Sequence, residues 1–330
     1  MAAKIEIYRL SVHPTNNHNF TIFVRKKYIP LDRIIRIGTR GSKLALWQAE
    51  FTQEKLRQAG YDSELVIIKT TGDNTQALNL SFDKIEGKGF FTKEIEDALL
   101  RGDVDMAVHS MKDMPTSSPD GLVLTAVSYR EDPADWLLIR KESIEAGQLF
   151  QLKQNPVVGT SSARRKAQIL DLRPDAQLKD IRGNVPTRVD KLMQGEFDAI
   201  MLAAAGLSRL ELDLSGVEVI KFDPREFIPA PAQGVLAYQT CTEDKAIRKV
   251  LQHLHHAEVS TVTNVERRIL QLMEGGCQMP LGVYCEQDKA GNFHVWGAKA
   301  EAWNGPVKKV RMSSSTSYML AEKVAEELKK

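Results

Sequence analysis

Eight basic side chains stand where the chain is about to turn: Arg40, Lys112, Arg130, Arg164, Arg165, Arg182, Arg188 and Arg209. Arginine forks match carboxylate and phosphate geometry, and the helix starts expected after Ser42 and Ser162 add backbone N–H donors for anions. Together they would hold a polyanion. Any one of them reads equally well as a solvated surface charge; their recurrence at equivalent strand exits is what favours a binding role. Asp113, next to Lys112, is the one acid among these bases at a strand exit. Its carboxylate could offset a developing cation or carry a proton, or it could be the partner of a simple salt bridge. His109 on the same segment reads as a packing residue. His255 and His256 bring no accompanying ligand set, so no metal site is expected.

The second candidate is Cys277, in Glu274-Gly275-Gly276-Cys277-Gln278-Met279-Pro280. Two glycines permit positive φ and Pro280 stiffens the exit, so a tight turn presenting the thiol is expected. Such a turn is open to two readings, an incidental cysteine or a displayed one. The remaining cysteines, Cys241 and Cys285, form no CxxC pair or zinc spacing with it, which argues against a disulfide framework and fits a reducing compartment.

The elements that must position these groups follow from periodicity. Ile34 to Ile37 is a short β-rich run ending in Gly38-Thr39-Arg40-Gly41-Ser42, after which Leu44, Trp47, Phe51 and Leu56 recur at helical spacing. Strands are expected at Leu65 to Lys69, Val104 to Val108, Leu122 to Ser128 and Trp136 to Ile139, and a helix at Thr92 to Leu100. Asn74 to Gly89 reads as a long loop of the lid or binding kind. Its Gly87-Lys88-Gly89 is no dinucleotide fingerprint, because Thr92 stands where the last glycine belongs and no strand precedes it.

Val157-Val158-Gly159-Thr160-Ser161-Ser162 then repeats the strand, Gly-Thr turn and serine cap of residues 37–42, and Asp198 to Leu202 repeats Asp105 to Val108. Two similar α/β halves with open sheets are implied, with ligands outside the carboxyl ends of the strands, in the cleft between halves. Pro229 to Gly234 reads as a crossover into one more strand. A helix from Glu258, strands near Val283 to Glu286 and Phe293 to Ala300, and a helix from Tyr318 to Leu328 make a small third unit.

At 330 residues the chain can bury a large core, and a net charge of +2 gives no global argument for nucleic acid or an anionic membrane. No apolar run approaches the roughly 18 residues that span a bilayer. Residues 1–33 lack the apolar core of a secretory signal and read as an extension, an alternative start or an organelle transit peptide.

Eight ordered stretches resemble the porphobilinogen deaminase (hydroxymethylbilane synthase) family. They are Arg36 to Ser42, Lys88 to Phe91, Ala107 to Pro115, Arg130 to Pro133, Gly159 to Arg165, Arg182 to Val185, Ala204 to Leu207 and Glu274 to Pro280. Residues 1–33 lie outside the match, and Ala163 replaces a larger aliphatic residue often seen before the arginine pair. The resemblance implies an α/β fold with two lobes like those of periplasmic binding proteins plus a small α+β C-terminal domain. It divides the chain into 34–130 with 233–252, 131–232 and 253–330 after the extension 1–33.

The implied reaction condenses four porphobilinogen molecules head to tail with loss of ammonia, then hydrolyses the tetrapyrrole to hydroxymethylbilane. It uses a dipyrromethane cofactor in thioether linkage to Cys277. Asp113 matches the catalytic aspartate. Ser42, Lys112, Asp113, Ser162, Arg164, Arg165, Arg182, Gly183 and Arg188 match cofactor contacts. Arg40, Ser42, Phe91, Arg182, Arg188 and Arg209 match substrate contacts, and Lys84 and Lys88 lie on the lid. A cytoplasmic monomer with no nucleic-acid or membrane partner is implied, or an organellar one if residues 1–33 are a transit peptide. A bilobal organic-anion binding protein is the reading from a different class, although it would need neither Cys277 nor Asp113. A catalytically silent relative is the third.

Overall fold

Ile35 and Ile37 are fully buried, and their strand β1 (Ile35–Thr39) stops where Ser42 Oγ accepts the amide of Ala45 at 3.3 Å and starts α1 (Lys43–Gln58). This computed structural model describes residues 31–70, 92–274 and 279–330. The expected loop at Asn74 to Gly89, with Lys84, Lys88 and Phe91, and the Gly275 to Gln278 turn with Cys277 lie outside the described residues.

The first lobe continues with β2 (Ser63–Ile67), α2 (Lys93–Arg101), β3 (Met106–Ser110) and β4 (Leu122–Arg130). The second holds β5 (Asp135–Arg140), β6 (Val157–Gly159), α3 (Ala163–Leu172), β7 (Gln177–Lys179), α4 (Val185–Met193), β8 (Ala199–Ala203), α5 (Ala204–Leu210) and β9 (Val217–Lys221). The chain then returns to the first sheet as β10 (Val235–Cys241), followed by α6 (Lys245–Leu251). The sheet orders are β2-β1-β3-β10-β4 and β7-β6-β8-β5-β9.

The expected echo is therefore a topological repeat. In each sheet three strands run parallel, and the strand that arrives from the other lobe, β10 or β5, runs antiparallel to both neighbours. Central strands β3 and β8 are buried almost throughout, as expected of strands covered on both faces. Two connections, 131–134 and 222–234, join the lobes. At the second, Gly234 has φ of 90° and a Cβ there would lie 2.3 Å from the carbonyl oxygen of Glu131, so glycine is required for that close approach.

The third unit is an antiparallel meander of β11 (Leu281–Gln287), β12 (Phe293–Lys299) and β13 (Lys308–Ser314), covered by α7 (Ala257–Leu272) and α8 (Leu320–Lys329). Val265, Ile269, Val283, Val295 and Val324 form its core. Sequence periodicity missed β13, whose inward residues are only Val310 and Met312 between lysines and an arginine. It also missed the short edge strand β7, β9, and the helices α4, α5 and α6. Among the described residues no helix is long and apolar enough to cross a membrane.

Glu266 on α7 ties the third unit to the first lobe and to the hinge connection. Fully buried, it accepts Arg130 Nη1 at 2.7 Å, the amide of Ala232 at 2.6 Å and the amide of Cys285 at 2.8 Å. Arg130 thus belongs to this junction. Glu266→Ala would leave that guanidinium buried without its counter-charge, and a loss of about 3–5 kcal/mol is expected. Equilibrium urea unfolding measures it; an unchanged midpoint would refute the assignment.

Candidate active site

Both lobes build their share of the site with one device, a strand that ends in a serine-capped helix start. In the first lobe this places Arg40 and Ser42 after β1. In the second, Ser162 Oγ accepts the amide of Arg165 at 3.5 Å after β6. Strand β3 ends differently, in a single tight helical turn, Met111–Asp113. That turn leaves the Asp113 side chain exposed while Met111 and Met114 on either side are buried. Arg40, Ser42, His109, Ser110 and Asp113 line one small cavity of about 100 Å³. His109 Nε2 lies 3.2 Å from Gln239 Oε1, and burial above all pushes its imidazole down to about 4, so it is neutral at ordinary pH. This agrees with a packing role.

Lys112 reaches the hinge, where its Nζ donates to Gln233 Oε1 at 3.3 Å. Burial lowers it to about 8, Asp113 and Asp135 oppose the shift, and Arg164 and Arg165 reinforce it. Arg188 is also lowered, to about 10, by burial and then by Arg165 and Arg182, with Asp113 acting in the opposite sense. Arg188 Nε donates to the carbonyl of Gly183 at 2.8 Å, which fixes the position of the 182–188 segment. Lys112, Asp113, Arg164, Arg165, Arg182 and Arg188 therefore form one electrostatic unit across the hinge, with Arg40 and Ser42 in the cavity beside Asp113.

Two of the predicted arginines are already heavily engaged. Asp135, fully buried at the start of β5, accepts Arg164 Nη1 at 2.6 Å and Arg165 Nη2 at 2.7 Å, and Arg165 Nη1 donates to the carbonyl of Met201. These guanidinium groups hold the Asp135 carboxyl far below its ordinary range despite burial. Arg209 stands apart from Asp113. It is buried where α5 meets α1, its guanidinium 5.7 Å from the Trp47 ring and its Nη2 donating to the hinge carbonyl of Gly234 at 2.8 Å.

Three polar residues escaped sequence reasoning: Asp135, Gln233 and Glu266. Gln233 is the most connected. Its Nε2 lies 2.7 Å from the carbonyl of Pro133 and 3.0 Å from Asp135 Oδ1, while its Oε1 receives Lys112. The available signal was a lone polar residue abutting an apolar strand, and its partners are about a hundred residues away in sequence. No group of three or more His, Cys, Asp or Glu suited to a metal ion occurs among the described residues.

The sequence model of the family described as "Porphobilinogen deaminase, dipyromethane cofactor binding domain" matches residues 35–249. A protein named porphobilinogen deaminase from Chloroherpeton thalassium is 43% identical over 266 residues, covering 80% of this chain and 82% of that one. One of the same name from Nitratiruptor sp. is 48% identical over 249 residues, covering 76% and 77%. Another from Maridesulfovibrio salexigens is 45% identical over 256 residues, covering 77% and 80%. Among solved structures, the methionine binding protein MetQ is similar at a TM-score of 0.41 and 15% identity, over 68% of this chain and 91% of that one.

Proposed function

Because this chain belongs to the porphobilinogen deaminase family, we propose that it is a transferase that joins four porphobilinogen molecules head to tail. Each addition releases ammonia, and hydrolysis yields hydroxymethylbilane. The observation that carries the reading is the exposed Asp113 carboxylate, set among Lys112, Arg188 and the cavity of Arg40 and Ser42. A cleft built only to hold an organic anion gains nothing from an acid at its centre.

A dipyrromethane, with carboxylate arms and pyrrole N–H groups, fits this donor set. Lys112, Arg182, Arg188 and the capped helix start at Ser162 suit the carboxylates, and Asp113 suits the N–H groups. Cys277 would hold it covalently. When bound, it supplies the pyrrole carbon from which the chain grows. Arg40, Ser42, Arg182 and Arg188 bind the acetate and propionate of the incoming substrate, and Phe91 packs on its ring. Asp113 Oδ1 and Oδ2 accept the pyrrole N–H, offset positive charge as the substrate's amine departs, and take up the proton released at the ring.

Arg164 and Arg165 act from behind. With Asp135 they leave one net positive charge beneath Lys112, a fixed attraction for carboxylates. Arg209 latches α5 to the hinge and acts on substrate through the position of the lobes. The three-unit division given above, with Lys84 and Lys88 on a lid and a monomer working in the cytoplasm, accompanies this reading. Intact mass, Ehrlich's reagent and porphobilinogen consumption test it on the purified protein. Added mass equal to a dipyrromethane, a coloured adduct and turnover are expected; an unmodified, unstained and inactive protein would refute it.

Lys112 makes the reaction pH-dependent in a stated direction. It carries its charge below about 8 and loses it above, so KM for porphobilinogen should rise by about threefold or more between about pH 7.5 and 9. Lys112→Arg keeps its charge and should remove that rise. Steady-state kinetics across this range decides the matter, and identical profiles for both proteins would exclude Lys112.

A further inference from the structure

A cavity of about 540 Å³ lies away from the candidate active site. Its walls are the C-terminal half of α1 (Phe51, Lys55), Tyr129 at the end of β4, Tyr238 on β10, and the turn between α6 and α7 with His255 and His256. Ser42 marks the active-site end of α1. At 1.5 Å per residue, Lys55 lies roughly 20 Å along the helix from it.

In their neutral form the two histidines are held in one tautomer by the backbone. His255 Nδ1 accepts the amide of Val127 at 3.3 Å, and His256 Nδ1 accepts the amide of Val259 at 3.3 Å. A ring nitrogen that accepts cannot carry the proton, so each neutral imidazole keeps its hydrogen on Nε2 as a donor. The segment is fixed further by the amide of His256, which donates to the carbonyl of Val127 at 2.9 Å. Lys55 adds an ammonium group, 5.5 Å from the Phe51 ring centroid. Phe51 meets Tyr129 edge-on at 5.7 Å. None of the described lining residues is an aspartate or glutamate.

A cavity of this volume is in the range that holds a small organic molecule. Cationic and N–H donors without a lining acid select for an anion, and the Phe51 and Tyr129 rings select for a flat apolar body. We propose that this second cavity binds a small aromatic carboxylate, with the carboxylate on Lys55 Nζ and the Nε2–H groups of His255 and His256 and the ring against Phe51 and Tyr129. The site goes beyond the proposed reaction and uses none of the residues assigned to it.

Benzoate is the probe, added to the full chain with its cofactor in place and followed by ligand-observed NMR and by thermal unfolding. Saturable binding with a Kd at or below about 1 mM is expected, together with a rise in Tm that follows occupancy. Benzamide, the same size without the charge, should bind at least tenfold more weakly. Lys55→Glu reverses one charge on an exposed helix position; it should weaken benzoate at least tenfold while porphobilinogen turnover stays as in the parent. Absence of saturation, equal binding of benzamide, or benzoate binding untouched by Lys55→Glu would each overturn the proposal. The last outcome would place the ligand in the arginine-lined cleft.

Discussion

Asp113→Asn is expected to fold, to retain its cofactor mass and to lose roughly 10²- to 10³-fold in turnover, the scale on which removal of one preorganised charge-stabilising group acts. Asparagine is nearly isosteric, and the turn that carries it closes through the amide of Met114 and the carbonyl of Met111, not through the side chain. Its carbonyl oxygen still accepts one pyrrole N–H. What disappears is the negative charge, in a setting where Lys112, Arg164, Arg165, Arg182 and Arg188 outnumber the remaining carboxylate of Asp135. A cationic pyrrole forming there would meet unrelieved positive potential. Binding of the substrate's carboxylates depends on the bases, so KM should change far less than kcat. Asp113→Glu tests position separately, since it keeps the charge but displaces it by one methylene, and an intermediate loss is expected. Near-parental turnover in Asp113→Asn would remove the residue from the chemistry.

Much of this site was legible in sequence because its anchors are local. Gly38-Thr39 with Ser42 and Gly159-Thr160 with Ser162 announce a strand end and a capped helix within six residues, and such signals need no knowledge of the fold. The duplicated topology followed from the same echo. What could not be read depends on partners distant in sequence. Arg164 and Arg165 have the sequence signature of ligand-facing arginines, yet their guanidinium groups meet Asp135 about thirty residues earlier. Arg209, matched to a substrate contact, also packs on Trp47 and donates to the carbonyl of Gly234, partners that its own segment does not announce. Strand β13 hid for another reason: in an edge strand with one face in solvent, two apolar residues among cations suffice, and alternation is too brief to detect.

Cys277→Ala should abolish both the added mass and all turnover, the largest effect expected of any single substitution in this chain. The other two thiols are inert. Cys285 is 1% exposed, and burial, followed by the Glu266 carboxylate, pushes its pKa strongly upward. Cys241 is raised too, by burial and then by Asp244 and Asp105, and its Sγ donates to the carbonyl of Leu99 at 3.1 Å. Sulfur attacks carbon as thiolate, so neither can replace Cys277. The prediction is therefore selective. Cys241→Ser and Cys285→Ser should keep the mass and the Ehrlich colour, with Cys285→Ser at most less stable. Loss of the tethered anion should also leave the basic cluster without its counter-charge, so Cys277→Ala should unfold at lower urea than the loaded protein. Intact mass spectrometry of the three variants side by side gives the answer. A Cys277→Ala protein that still carried the extra mass would move the attachment point elsewhere in the chain.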